Sequence, residues 1–163
     1  MSTTDQLVQN NASYAAAFDK GDLALPPGLG VAVVACMDAR LDPARVLGLE
    51  EGDAHVIRNA GGVVSDDVIR SLTISQRLLG TTAIVLIHHS DCGMVTFNDD
   101  DVKAKIASEV GIRPPFALEA FPDADDDVRQ SIRRIKASPY LATTDDIRGF
   151  VYEVETGRLR EVT

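Results

Sequence analysis

The sequence predicts an α/β fold: a mostly parallel central β-sheet flanked by helices, preceded by an extended N-terminal helix. Two short apolar runs, Gly30–Cys36 (GVAVVAC) and Ala83–His88 (AIVLIH), are rich in Val and Ile and show no polar alternation. Such runs are strands covered on both faces. Between them, Ser65–Leu79 places Val68, Leu72, Ser75 and Leu79 on one helical face. Strands that alternate with helices build a parallel sheet with helices on both sides.

Residues 3–18 read as a helix that Thr3 or Thr4 can cap. The Gly- and Pro-rich stretch Lys20–Gly30 then breaks regularity. Residues 1–29 are therefore expected to form an arm and connector that pack away from the main body. Pro43–Leu47 reads as a short helix and Ala54–Ile57 as a second short strand. Ser65 caps the long helix, Asp66 and Asp67 complement its dipole, and Gly80 ends it. Asn98–Glu109 reads as a polar helix stopped by Gly111 and Pro114, and Phe116–Pro122 as a loop. Asp123–Ala137 has acids early and Arg129, Arg133, Arg134 and Lys136 late, the order that suits a helix dipole. Val151–Val154 is expected as a fourth strand, Thr156-Gly157 as a turn and Leu159–Val162 as a final edge strand. The acidic runs Asp99–Asp101 and Asp125–Asp127 are expected to cap or solvate helix starts, and neither has calcium-loop spacing.

A chain of 163 residues with 45% hydrophobic content suits a single domain over residues 1–163. Trp is absent, so the core is built mainly from Val, Ile, Leu and Ala. A net charge of −9 argues against a nucleic-acid or anionic-membrane partner. No stretch approaches the ~18–20 apolar residues that span a bilayer. The start carries no secretory pattern, its first positive charge being Lys20. A cytoplasmic location is expected, and there structural disulfides are disfavoured. Cys36 and Cys92 therefore call for another explanation.

Cys36 closes the first strand, His89 follows the third, and Cys92 comes after a further two-residue gap. Carboxyl ends of parallel strands share one rim, where ligands bind. Two thiolates and an imidazole suit zinc, one ion per subunit. Asp38 stands two residues past Cys36 and can supply a fourth ligand, while Arg40 can clamp its carboxylate with two parallel bonds. An Asp38 held by Arg40 leaves the fourth position to water; an Asp38 on the metal closes the site. Two other readings of the cysteines stay open: small buried hydrophobes and a reversible disulfide. A phosphatase-type nucleophile loop fits poorly, because only Met37, Asp38 and Ala39 separate Cys36 from Arg40.

CMDAR (Cys36–Arg40), VIRNAGG (Val56–Gly62) and HHSDCGM (His88–Met94) together resemble the β-class carbonic anhydrases, and SDDVIRSL (Ser65–Leu72) resembles their short actinobacterial branch. The resemblance implies zinc on Cys36, His89 and Cys92, an Asp38–Arg40 catalytic dyad, and reversible hydration of carbon dioxide to bicarbonate. It places Ala60, Gly61 and Gly62 beside the metal, and the expected substrate pocket comprises these with Gly93 and Met94; Met94 and Phe97 either wall that pocket or belong to the core. It also implies a homodimer or dimer of dimers, the first helix embracing the partner. Arg58 and Asn59 then hold the RNAGG loop or the dimer seam. Some bacterial members have an inhibitory bicarbonate pocket built with a Trp, which this chain lacks. Two alternatives keep the zinc: hydrolysis of carbonyl sulfide or carbon disulfide, and a non-catalytic module with a structural ion. His88 is expected to face the opposite side of its strand from His89, and His55 to be packed within a strand or at the dimer seam.

Overall fold

Strand β1 (Val31–Cys36) is buried along five of its six residues, as its unbroken apolar run requires. It is the second strand of a five-stranded sheet in the computed structural model, which describes residues 1–163. The sheet order is β2 (Ala54–Asn59), β1, β3 (Ala83–His89), β4 (Asp146–Tyr152), β5 (Leu159–Val162). The first four strands pair in parallel, and β5 returns antiparallel on the edge. The helices are α1 (Thr3–Ala16), α2 (Pro43–Leu47), α3 (Asp66–Arg77), α4 (Asp99–Val110) and α5 (Ala124–Ala137).

Successive strand side chains point to opposite faces, so the sheet carries two cores. On one face Ala32, Val34, Ile84 and Leu86 pack against Val68 and Leu72 of α3 and Ile135 of α5. On the other, Val33, Ala35 and Ile87 pack with Leu41, Val63, Met94 and Phe121, and with Val46 and Leu47 of α2. Cys36 and Cys92 belong to this second core. The buried Gln76 joins α3 to the chain entering β4: its Nε2 donates to Thr143 O at 3.0 Å, and its Oε1 accepts from Ala142 N at 2.8 Å.

Four elements differ in their boundaries from the sequence expectation. The cap of α1 is Ser2, not Thr3 or Thr4: its Oγ accepts from Asp5 N at 3.1 Å, and Asp5 Oδ2 accepts from Ser2 N at 2.7 Å. This reciprocal pair satisfies two otherwise orphaned donors. The second strand continues past Ile57 to Asn59, and β3 includes His89. The fourth strand starts at Asp146 and ends at Tyr152, rather than running over Val151–Val154. Its first half hides from an apolar-run criterion because Arg148 faces out, in a double ion pair with Glu161 of β5 at 2.8 and 2.6 Å. Gly149 is demanded by packing, since a Cβ there would collide with Val128 Cγ1 of α5.

The acidic runs do more than was expected of them. Asp99 accepts from three backbone N–H groups of the 118–120 loop, at 2.7, 3.3 and 3.0 Å. These bonds hold its carboxyl below the usual range, the one from Ala120 foremost. Asp125 takes Arg160 with two bonds of 2.8 and 2.7 Å, tying α5 to β5. By contrast α1 has no buried residue, and Leu7, Val8 and Tyr14 on it and Phe18 just after it are exposed. No helix is long and apolar enough to cross a membrane.

The contact at Gly149 gives a direct check of how closely α5 packs on β4. Gly149→Ala is expected to lower stability by about 1–3 kcal/mol, the usual cost of overpacking. Urea unfolding monitored by far-UV circular dichroism measures it.

Candidate metal centre and active site

Strands β1 and β3 are neighbours in register, Ala35 opposite Ile87, so Cys36 and His89 leave the sheet at the same rim. The chain then turns sharply, with Asp91 in the left-handed region at φ 52°, and returns Cys92 to that point. Asp and Asn tolerate this conformation better than other side chains. The donor atoms of Cys36, His89 and Cys92 all lie within 4.8 Å of one another. His89 Nε2 stands 3.2 Å from Cys36 Sγ. All three residues are buried, and both cysteines are free.

The orientation of His89 fits a metal. Its Nδ1 lies 2.7 Å from Ser90 O, and a carbonyl can only accept, so Nδ1 carries the proton. Nε2 points at the Cys36 sulfur, so once it gives up its own proton its lone pair faces the thiols, the arrangement metal-binding imidazoles adopt. Two thiol sulfurs and one such nitrogen form a donor set suited to zinc.

The thiols polarise each other. A hydrogen bond from Cys92 and another from His89 draw Cys36 down to about 4, against the opposing effect of burial. Cys92 is pushed up, because it donates to Cys36 and is itself buried. Burial opposes the charged form of His89, but the neighbouring Cys36 and the Ser90 carbonyl outweigh it and raise its pKa. The site thus gathers one negative sulfur readily and holds the second proton tightly.

Two glycines let the RNAGG turn close over this rim. Gly61 and Gly62 have φ of +84° and +70°, and a Cβ on Gly62 would sit 2.7 Å from Cys36 N and 3.0 Å from Ile87 O. Arg58 fastens the opposite side. Its Nη2 donates to the carbonyls of Cys36, Asp38 and Leu41, each at 2.8 Å, and its Nε donates to Cys36 O at 3.0 Å. Asn59 Nδ2 donates to Val63 O at 2.9 Å and braces the turn itself.

Asp38 is close to the donors but apart from them. Its Oδ2 lies 3.6 Å from His89 Nε2. Both carboxylate oxygens are taken by Arg40: Nε donates to Oδ1 at 3.0 Å and Nη2 to Oδ2 at 2.9 Å, while Arg40 N donates to Oδ1 at 2.8 Å. The Arg40 side chain, then its backbone N–H, hold the Asp38 carboxyl far below the ordinary carboxylate range. Asp91, which the sequence reading did not single out, also accepts from Arg40, with Oδ2 2.8 Å from Nη1 and its carbonyl 3.1 Å from Nη2.

A cavity of about 450 Å³ opens over these groups. Ala60, Gly61, Gly93 and Met94 line it, together with Phe97 and Thr96. Gly62 is not among the lining residues, because it is pressed against the β1 and β3 backbone instead. The amino end of α3 does not line the cavity either; Arg134 takes up Asp66 at 2.6 Å. His88 faces away, its Nε2 2.7 Å from Asp127 Oδ2 of α5, and His55 Nδ1 lies 2.7 Å from Ser75 Oγ.

A parallel sheet whose carboxyl rim gathers two buried thiols and an oriented imidazole, with an ionised Asp–Arg pair beside them, defines a zinc-type α/β metalloenzyme. The carbonic anhydrase family model matches residues 31–159. β-Carbonic anhydrase 1 of Mycobacterium tuberculosis is 60% identical over 163 residues, covering 100% of this chain and 99% of the relative. A crystal structure of carbonic anhydrase from Streptococcus mutans superposes with a TM-score of 0.93 at 42% identity, covering 100% of this chain and 99% of that one. Carbon disulfide hydrolase of Saccharolobus solfataricus is 31% identical, covering 96% of this chain and 87% of the relative. The chain belongs to the β-carbonic anhydrase family.

Zinc binding to this donor set carries a pH signature. Ligating thiols must be deprotonated, and Cys92, its pKa raised, keeps its proton at neutral pH in the metal-free protein. Zinc affinity is therefore expected to rise with pH, about tenfold per unit for each proton expelled. Competitive zinc titrations of the metal-free protein between pH 6 and pH 8 measure it, and an affinity flat across that range would contradict the assignment.

Proposed function

We propose that this chain catalyses the reversible hydration of carbon dioxide to bicarbonate and a proton, with Cys36, His89 and Cys92 holding one zinc per subunit. The observation that carries this reading is the Asp38–Arg40 pair. Both oxygens of Asp38 are engaged by Arg40, and Asp38 is not part of the Cys36–His89–Cys92 donor cluster. A purely structural ion would call for four tight protein ligands, and here the nearest fourth donor is turned to a guanidinium.

Bound zinc supplies the Lewis acid that makes water nucleophilic near neutral pH. The chain's own groups do the rest. Asp38 stays ionised and acts as the acceptor that orients the attacking oxygen toward the carbon. Arg40 keeps that carboxylate in place and in its charged form. Ala60, Gly61, Met94 and Phe97 give the cavity small and apolar walls, which suit a linear, uncharged substrate.

A second reading has specific support, because several relatives at 31–33% identity are carbon disulfide hydrolases. Carbonyl sulfide and carbon disulfide are linear analogues of carbon dioxide, and the donor set alone does not distinguish the three. The 60% identity over the full chain to β-carbonic anhydrases favours the hydration reading.

The proposed assembly is a homodimer or a dimer of dimers. Support comes from Leu7, Val8 and Tyr14 of α1 and Phe18 just beyond it, all exposed, and from Val56 on the edge strand β2, 44% exposed. The two free cysteines suit a reducing compartment, which supports a cytoplasmic location.

Stopped-flow hydration of carbon dioxide, run beside sulfide release from carbonyl sulfide and carbon disulfide, tests the substrate. Hydration is expected to dominate for the zinc-loaded protein. Asp38→Asn is expected to lower kcat/KM for hydration by about 100-fold or more, the usual scale for a positioned proton acceptor. Cys92→Ser is expected to lose zinc and hydration together. Dominant sulfide release with negligible hydration would move the substrate to the second reading.

A further inference from the structure

Arg40 serves two carboxylates. One, Asp38, is two residues away on the same loop, so the Asp38–Arg40 pair alone does not tie the side chains to the His89–Cys92 turn. The other, Asp91, lies on the turn between His89 and Cys92. Arg40 Nη1 donates to Asp91 Oδ2 at 2.8 Å, and Arg40 Nη2 is shared between Asp38 Oδ2 at 2.9 Å and Asp91 O at 3.1 Å. The planar guanidinium is thus fixed from two directions by two chain segments. It is a charged crosslink between the turn that carries Cys36 and the turn that carries His89 and Cys92.

The backbone at Asp91 is also particular. Its φ of 52° lies in the left-handed region, one of only two non-glycine residues there. Glycine adopts that conformation with no Cβ strain, and asparagine tolerates it as aspartate does. An aspartate at this position is therefore not explained by the turn alone. Its carboxylate has a bond to make, and the atom it meets is Arg40 Nη1.

We propose that Asp91 is a positioning residue: by anchoring Arg40 to the His89–Cys92 turn, it keeps Asp38 on Arg40 and away from the metal. This rests on the reading of Cys36, His89 and Cys92 as zinc ligands, and it adds the device that biases Asp38 between two partners. With Asp91 in place, turning Asp38 toward the donors breaks its paired bonds to a guanidinium that cannot follow. Without Asp91, Arg40 can travel with Asp38, and the carboxylate reaches the ion with its partner still attached. An exogenous ligand then competes with Asp38, and its apparent affinity falls by the fraction of molecules left open. The Asp91 side chain is 72% exposed and that of Arg40 48%, so the bias is modest. An ion pair of that exposure shifts the balance between the two Asp38 positions by up to about fivefold, and the open fraction by less.

The test uses Asp91→Gly and Asp91→Asn, both compatible with the positive φ. Asparagine keeps one acceptor for Arg40 Nη1 and loses the charge; glycine loses both. Metal content, the dissociation constant of azide for the cobalt-substituted protein read by its visible absorption, and kcat/KM are measured together at low ionic strength. The expected result is full metal content in both variants. Azide affinity and kcat/KM fall by the same factor, measurable but below about fivefold in the glycine variant and smaller in the asparagine variant. Azide binding reads the metal whatever the substrate, so it separates this proposal from the hydration reading. Wild-type azide affinity in the glycine variant would overturn the proposal. Loss of metal from the asparagine variant would overturn it too, since Asp91 would then be supporting the ligand turn itself.

Discussion

Two sulfurs and an imidazole crowded into a buried site form an electrostatic problem that a divalent cation solves. In the low dielectric of a protein interior two neighbouring thiolates repel strongly, and leaving such charges uncompensated is costly. A proton on Cys92 binds the Cys36 sulfur, and this bond drives the two thiols in opposite directions. A metal replaces that proton. The rest of the rim serves to hold three donors where this exchange can occur.

That convergence depends on the sheet more than on local motifs. The parallel pairing of β1 with β3 brings Cys36 and His89 together, although 52 residues separate them in sequence. Gly62 lets a turn from β2 lie against the backbone of both strands, and Arg58 gathers the carbonyls of the loop that follows Cys36. The same loop then presents Asp38 with its carboxylate already committed to Arg40. Charge is fixed in place here by short hydrogen bonds to backbone and guanidinium groups, so little reorganisation is left for the chemical step.

Much of this was legible in the sequence, for identifiable reasons. Apolar runs exposed β1 and β3, and the 3.6-residue period exposed α3. Because thiols and imidazoles are few, Cys36, His89 and Cys92 could be paired by position alone. The spacing of Asp38 and Arg40 matched the reach of a guanidinium. What stayed hidden was set by tertiary partners. The start of β4 looks polar because Arg148 finds Glu161 on the neighbouring strand and Gly149 makes room for Val128. Asp99 looks like one more helix-start acid until the 118–120 loop folds back onto it. Asp91 looks like a turn filler until Arg40 crosses from another segment, 51 residues away. The packing of Gly62 against the sheet, rather than into the cavity, likewise follows only from how close the two strands lie beneath it.

X-ray absorption at the zinc K-edge counts the atoms around the ion without reference to any reaction. For the zinc-loaded chain two sulfur scatterers are expected at about 2.3 Å and lighter nitrogen or oxygen scatterers at about 2.0–2.1 Å. A spectrum with a single sulfur, or with only nitrogen and oxygen neighbours, would contradict this, since Cys36 and Cys92 would then not hold the metal together.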